Sequence, residues 1–253
     1  MNMILDKKTV FITGASRGIG AALAIGLAEY GADVVVTDIA SQKNELEDVA
    51  AKITSLGRKC LSQVLDVRKK DQAEAVVAEA TSQMGRIDVL VNNAGILKPS
   101  KLQDLDEATW DAHFDVNAKG VLLVTNAVLP QMQERKAGRI INVASIAGRQ
   151  GVPTQGHYAS TKATAITLTR VYSQEVGMDG ITVNAICPGI ILTEMGKNNL
   201  GSQEAMDHWS DVAALKRLGD PKDIIGPAVF FASDLSGFVT GQALNVCGGI
   251  YFH

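Results

Sequence analysis

Short apolar runs alternate along the chain with longer segments in which apolar residues recur every three or four positions. The runs fall at 9–15, 33–39, 59–67, 87–92, 138–145, 181–187 and 242–246. Most are dense in Val and Ile with little polar alternation, as strands read when helices cover both faces of a parallel sheet. Helical spacing fills the intervals, at 19–30, 42–56, 71–84, 108–133 and 157–176. Gly31, Gly57 and Gly85 stand just past three of these helices, where a left-handed residue closes the last turn. The alternation predicts an α/β fold, a doubly wound parallel sheet between two helical layers. No linker, repeat or low-complexity tract breaks it, so residues 1–253 are expected to form a single domain. The stretch of about 188–220 holds Gly196, Asn198, Asn199 and Gly201 and is expected to be an irregular substrate loop.

Composition narrows the class. The 253 residues are 46% hydrophobic, enough for a packed domain of this length. Against 27 acidic side chains stand 24 Lys and Arg, a net charge of −3 that argues against a nucleic-acid partner. No apolar run approaches the roughly 18 residues of a membrane span, so no membrane partner is expected. The start, Met1 to Lys8, lacks a charged region followed by an apolar one, and no signal peptide is expected. Cys60, Cys187 and Cys247 are odd in number and widely spaced, which suits free thiols in a cytoplasmic protein. His113, His157, His208 and His253 show no ligand spacing, and no metal is expected. His157 is expected on the surface.

The first chemistry appears where the first strand meets the first helix, at Thr13-Gly14-Ala15-Ser16-Arg17-Gly18-Ile19-Gly20. Glycines at 14, 18 and 20 allow a sharp turn and bring backbone N–H groups against a pyrophosphate at a helix N-terminus. Glycines can also mark nothing more than a tight turn. Here the second strand ends in Asp38, 18 residues past Gly20, where a carboxylate can accept hydrogen bonds from an adenosine ribose. That carboxylate repels a 2′-phosphate, whereas Arg17 in the glycine loop could pair with one. Asp38 carries more weight, so NAD is favoured over NADP.

Four further segments complete a pattern: Asn92-Asn93-Ala94-Gly95, Asn117, Ser145 and Tyr158-Ala159-Ser160-Thr161-Lys162. With the glycine loop and Pro188-Gly189, they resemble the short-chain dehydrogenase/reductase family over essentially the whole chain. The resemblance implies a seven-stranded Rossmann-type sheet, commonly in a homotetramer. It also implies a catalytic tetrad of Asn117, Ser145, Tyr158 and Lys162. Further family positions carry over to the cofactor cleft: Gly14, Ser16, Arg17, Gly18, Ile19, Gly20, Asp38, Ile39, Asp66, Val67, Asn93, Ala94, Gly95, Pro188, Gly189, Ile191 and Thr193. Tyr158 and Lys162 belong to that list too.

The residues support these roles independently. Tyr158 and Lys162 are four apart, on one face of a helix. A free phenol titrates near 10, and a nearby ammonium is expected to bring Tyr158 below that. Ser145 can stabilise a substrate oxygen as its charge changes. Asn117 lies in an apolar stripe with Trp110, Phe114, Val121, Val124 and Val128; it can hold a water beside Lys162 or simply satisfy a kinked backbone. Cys187 reads as a small strand-end residue with no basic partner. The activity implied is hydride transfer between NAD(P) and a secondary alcohol/ketone pair, a polyol or another small or cyclic alcohol. A 3-oxoacyl-thioester reductase is the alternative; such reductases usually resemble NADPH enzymes with no acid ending the second strand. A non-catalytic NAD(H) sensor is a second alternative, though a sensor needs no complete tetrad. Gln155 and Trp209, with Ser145 and Tyr158, are the expected substrate contacts.

Overall fold

The computed structural model describes residues 3–252, so Met1, Asn2 and His253 lie outside the described residues. Seven strands form one parallel sheet: β1 (Thr9–Thr13), β2 (Asp33–Asp38), β3 (Cys60–Val64), β4 (Val89–Asn92), β5 (Gly138–Val143), β6 (Ile181–Pro188) and β7 (Ala243–Val246). Their order across the sheet is 3-2-1-4-5-6-7. The helices are α1 (Gly18–Glu29), α2 (Lys43–Ser55), α3 (Lys70–Met84), α4 (Glu107–Phe114), α5 (Gly120–Glu134), α6 (Ala147–Gln150), α7 (Gly156–Glu175), α8 (Glu194–Leu200), α9 (Gln203–Val212) and α10 (Ile225–Ala232).

The unbroken apolar runs now have their cause. Along β1, Val10 and Ile12 face a core built with Leu23 of α1, Leu46 of α2 and Phe231 of α10. Phe11 between them faces the opposite core, with Val76 of α3, Val124 of α5 and Tyr172 of α7. β2 repeats this, with Val34 and Val36 on one side and Val35 on the other. Alternate residues point to opposite faces and both faces are covered, so neither set can be polar.

The chain leaves β1 in one direction across the sheet and β4 in the other. Such a reversal opens a crevice outside the carboxyl ends of the two strands, where open α/β sheets bind ligands. Behind the crevice, Asn92 Nδ2 donates to Thr125 Oγ1 and Asn142 Oδ1 at 3.0 and 2.9 Å, and Asn142 Nδ2 donates to Thr169 Oγ1 at 2.9 Å. This buried ladder ties β4 and β5 to α5 and α7.

Two expectations need correction. The stretch 188–220 is not irregular throughout: α8 and α9 occupy its middle, capped by Thr193 and Ser202, whose hydroxyls accept from Gly196 and Ala205 N–H. The expected helix 108–133 is not one uniform α-helix either. A π-helical segment, Asp115–Lys119, joins α4 to α5. The wider turn shifts the helix face, so Trp110 is exposed and stacks on Phe114 while His113 takes the buried position. Among the described residues, no helix is long and apolar enough to cross a membrane.

Candidate active site

The glycine loop leaves β1 at the crevice. Gly14 and Gly18 have φ of +64° and +58°. A Cβ on Gly20 would overlap the Gly14 carbonyl, so only glycine lets α1 start this close to β1. Asn93 fastens the turn from the neighbouring strand, its Nδ2 donating to the carbonyls of Thr13 and Gly14 at 3.0 and 2.8 Å. Thr13 Oγ1 accepts the N–H groups of Asn93 and Ala94 at 3.0 and 3.1 Å. Thr13 was not among the expected site residues, although it opens the glycine motif. No side chain caps α1, so its first N–H groups, around Gly18, Ile19 and Gly20, are available to an anion.

Asp38 ends β2 beside this turn. One carboxylate oxygen takes the Ser16 N–H and hydroxyl at 3.1 and 2.6 Å, and the other takes the Ile39 N–H at 2.8 Å. Ile39 itself is exposed. Arg17 is exposed, and its guanidinium pairs with Glu194 of α8 at 2.9 Å. Asp66 follows β3 and is held in an ion pair by Arg68 at 2.7 Å, which keeps its carboxyl below the usual carboxylate range. Buried Val67 packs against Gly120. The glycine loop thus fits a dinucleotide pyrophosphate at an uncapped helix end, with a carboxylate beside it.

The second half of the crevice gathers residues from β5, α7 and the loop after β4. Ser145 follows β5 and accepts the Ala147 N–H at 3.1 Å, and its hydroxyl acts on the Tyr158 phenol in the direction that favours ionisation. Lys162 is buried, with Nζ donating to the Val143 carbonyl at 2.8 Å and lying 5.7 Å from the centre of the Tyr158 ring. Gly148 holds the lysine's backbone in place. A Cβ there would come within 2.6 Å of the α7 main chain at Lys162 and Ala163. Gly95 comes from the other side, where a Cβ would lie 3.4 Å from both Lys162 Nζ and Asn117 Oδ1. Asn117 sits in the π segment, fully buried. Its Oδ1 accepts the Ile96 N–H at 2.8 Å, and its Nδ2 donates to the Ile96 carbonyl and Thr161 Oγ1 at 3.0 and 3.1 Å. The kinked backbone and the buried amide therefore coincide.

Electrostatics depart from expectation here. Tyr158 is only half-buried by its exposure, yet the protein around its phenol desolvates it and pushes it up to about 12, with the Ser145 hydrogen bond opposing. Burial also brings Lys162 down to about 8. One donor of the ammonium goes to the Val143 carbonyl, and burial outweighs what would lower the phenol. Burial raises the Cys187 thiol, and the nearby Arg149 guanidinium only partly opposes this, so it stays a protonated, unreactive thiol.

The remaining candidates lie toward the opening. Pro188 ends β6, and the Gly189 N–H donates to the Val246 carbonyl at 2.9 Å. Ile191 is buried and bridges to Gly219, and Thr193 caps α8. Gln155, before α7, donates from Nε2 to Asn199 Oδ1 of α8 at 3.0 Å. Trp209 is half-buried on α9, its ring edge-on to His208 at 5.6 Å. His157 is buried, not on the surface.

A sequence model described as Enoyl-(Acyl carrier protein) reductase matches residues 14–251. The 3-oxoacyl-[acyl-carrier-protein] reductase FabG of Staphylococcus epidermidis is 41% identical over 244 residues, 96% of this chain and 99% of that protein. The L-rhamnose 1-dehydrogenase (NAD(P)(+)) of a Sphingomonas species is 39% identical over 249 residues, 98% of each chain. Among solved structures, levodione reductase superposes with a TM-score of 0.93 at 33% identity, over 97% of this chain and 98% of that one.

Proposed function

The chain belongs to the short-chain dehydrogenase/reductase family, and on that premise we propose that it moves a hydride between NAD(H) and a small secondary alcohol or its ketone. The observation that carries this reading is the gathering of Ser145 and Tyr158 beside buried Lys162, whose Nζ lies 5.7 Å from the Tyr158 ring centre, with Gly95 closing on that Nζ at the sheet's switch point. The nicotinamide ring, when bound, accepts or delivers the hydride. In the reductive direction Ser145 and the Tyr158 phenol donate to the ketone oxygen, and Tyr158 gives up its proton as that oxygen gains charge. Lys162 keeps two donors beyond Val143 for the nicotinamide ribose and, when the phenolate forms, for its charge. The Asn117 amide is spent on Ile96 and Thr161, so in the proton relay we assign it, a water falls to its backbone carbonyl in the π turn.

Asp38 supports NAD over NADP, because a 2′-phosphate would meet its carboxylate while Arg17 is paired elsewhere. Gln155 and Trp209 are the proposed substrate contacts. Exposed Trp110, Leu122 and Val171 on α4, α5 and α7, with Phe238, Leu244 and Phe252 around edge strand β7, support a homo-oligomer, a tetramer by family habit. Of the two C-terminal aromatics, Tyr251 is half-buried and Phe252 exposed. Three free thiols suit a cytoplasmic setting.

A second reading, reduction of a 3-oxoacyl thioester, has the 41% identity to FabG in its favour and Asp38 against it. The experiment is a screen of polyols, sugars, cyclic alcohols and ketones and a 3-oxoacyl thioester, each with both cofactors. NAD-linked turnover of an alcohol supports the first reading. NADPH-linked turnover of the thioester alone replaces it with the second, and binding without turnover of any substrate leaves a sensor.

A further inference from the structure

Two histidines with exposures of 1% and 0% have no part in that chemistry. His113 lies in the last turn of α4, and His157 precedes Tyr158 on α7. Their rings meet edge to face with centroids 4.2 Å apart. Both address one residue of the loop after β4. His113 Nε2 accepts the Lys98 N–H at 3.1 Å, and His157 Nε2 donates to the Lys98 carbonyl at 3.0 Å. An N–H can only donate and a carbonyl can only accept, so these partners fix the tautomers. His113 carries its proton on Nδ1, where it donates to the Thr109 carbonyl at 2.7 Å, and His157 carries its proton on Nε2. His157 Nδ1 is buried with no partner.

Asn117 treats Ile96 the same way, holding both its N–H and its carbonyl. Residues 96 and 98 are therefore each gripped by both backbone groups. Gly95, next in line, is the residue that closes on Lys162 Nζ. Desolvating two imidazoles to hold the main chain of an exposed lysine is costly unless the placement of that segment matters. We propose that His113 and His157 are positioning residues, which set the wall formed by residues 95–98 against Lys162 and Tyr158. This inference rests on the reading of Tyr158 and Lys162 as the reacting pair.

The grip on the Lys98 N–H holds only while the His113 ring is neutral, because a proton on His113 Nε2 would aim a donor at a donor. Burial holds His113 below the ordinary histidine value; the Thr109 carbonyl opposes this, while the His157 ring from α7 and the Lys98 ammonium from the loop add to it. Asp106, at the start of its own helix, stays charged but directs its carboxylate at the Thr109 N–H and hydroxyl and makes no ion pair with either ring. The sign follows. A histidine lowered on folding leaves the grip intact above about pH 6.5 and weakens it progressively as the pH falls.

The test uses His113→Phe, His157→Phe and His113→Gln in the full-length protein. Glutamine keeps a neutral acceptor at the reach of Nε2 and does not titrate. Amide exchange over residues 94–101, NADH fluorescence titration and turnover of the alcohol accepted by the parent are followed from pH 5.5 to 7.5. Both Phe variants should speed exchange of that segment at least tenfold and lower kcat at least fivefold at pH 7.5. His113→Gln should stay within about twofold of the parent at pH 7.5 and lose the parent's acid decline. Parental exchange in the Phe variants, or an unchanged acid limb in His113→Gln, overturns the proposal, and the glutamine variant decides alone if the Phe variants do not fold. If Tyr158→Phe keeps its turnover while exchange responds as expected, the catalytic reading fails instead, because the exchange measurement needs no chemistry.

Discussion

The turn after β1 and the segment after β6 face each other across the cleft, where a Cβ on Gly18 would lie 3.3 Å from Thr193 Cγ2. They are held by opposite means. The turn is fixed by lack of space and by buried bonds: a Cβ on Gly14 would come within 2.7 Å of the Ala94 backbone, and Asn93 binds two of its carbonyls. On the other side, α8 and α9 contain no fully buried residue. Their links to the walls are polar: Arg17 to Glu194, and Gln155 to Asn199. Exposed ion pairs are worth about 0.2–1 kcal/mol, so the α8–α9 segment can part from the cleft at little cost while the turn cannot. Under the proposed function, a cofactor would be selected by a fixed floor and a substrate would meet a cover held by weaker contacts.

The division predicts that chemistry follows the floor. Tyr158→Phe removes one oxygen, and turnover should fall by ~10²–10⁴ while NADH affinity holds. Lys162→Met should damage both, because one ammonium serves the ribose and the phenol. Stopped-flow turnover with fluorescence titration separates the two. If Tyr158→Phe kept most of the parent rate, the floor would be a binding surface only.

The next largest effect is on pH dependence. With Lys162 brought down to about 8, its ammonium is present below that pH and lost above it. In ketone reduction, which needs a protonated phenol, kcat/KM should be level below about pH 8 and then fall about tenfold per unit. The phenol, pushed up to about 12, stays protonated throughout that range. A profile flat to pH 10 would show that burial does not set the lysine's charge.

Both sides of the comparison bear on how far the sequence could be read. The floor was legible because its chemistry is local: Gly14, Gly18, Gly20 and Asp38 reveal themselves by spacing around one strand–helix–strand unit. Tyr158 and Lys162 do so by one helical turn. The cover was misread because Gly196, Asn198, Asn199 and Gly201 outweighed Thr193 and Ser202, whose positions before Glu194 and Gln203 are ordinary N-cap signals. His113 and His157 are 44 residues apart, and neither advertises the other. The π segment hid them further, because uniform 3.6-residue spacing puts Trp110 and Phe114 on the buried face instead. The phenol's upward shift was equally out of reach, since spacing says nothing of how closely the fold packs around the Tyr158 hydroxyl.

Asp38 tests the floor's part in selecting the cofactor. Hydrogen bonds to a charged acceptor are worth about 1.5–3 kcal/mol. Asp38→Ser should therefore weaken NADH at least about tenfold and narrow its lead over NADPH. An unchanged ratio of the two dissociation constants would remove Asp38 from the discrimination.

The smallest effect belongs to the pair that joins floor and cover. Glu194 and Arg17 have side chains 65% and 62% exposed, so losing the pair costs about 1 kcal/mol at most, under about sixfold in any equilibrium. What sharpens the comparison is the direction for each cofactor. Glu194→Gln frees the guanidinium beside the turn without touching Asp38. NADH, with no 2′-phosphate, should bind within about twofold of the parent. NADPH should gain several-fold, because the freed arginine can meet its extra phosphate. The gain should fade as salt rises from 50 to 500 mM, since the partners are exposed and screened. Arg17→Ala in the same background should abolish it. If Glu194→Gln strengthens both cofactors equally, the pair holds the cover shut and has no bearing on which dinucleotide enters.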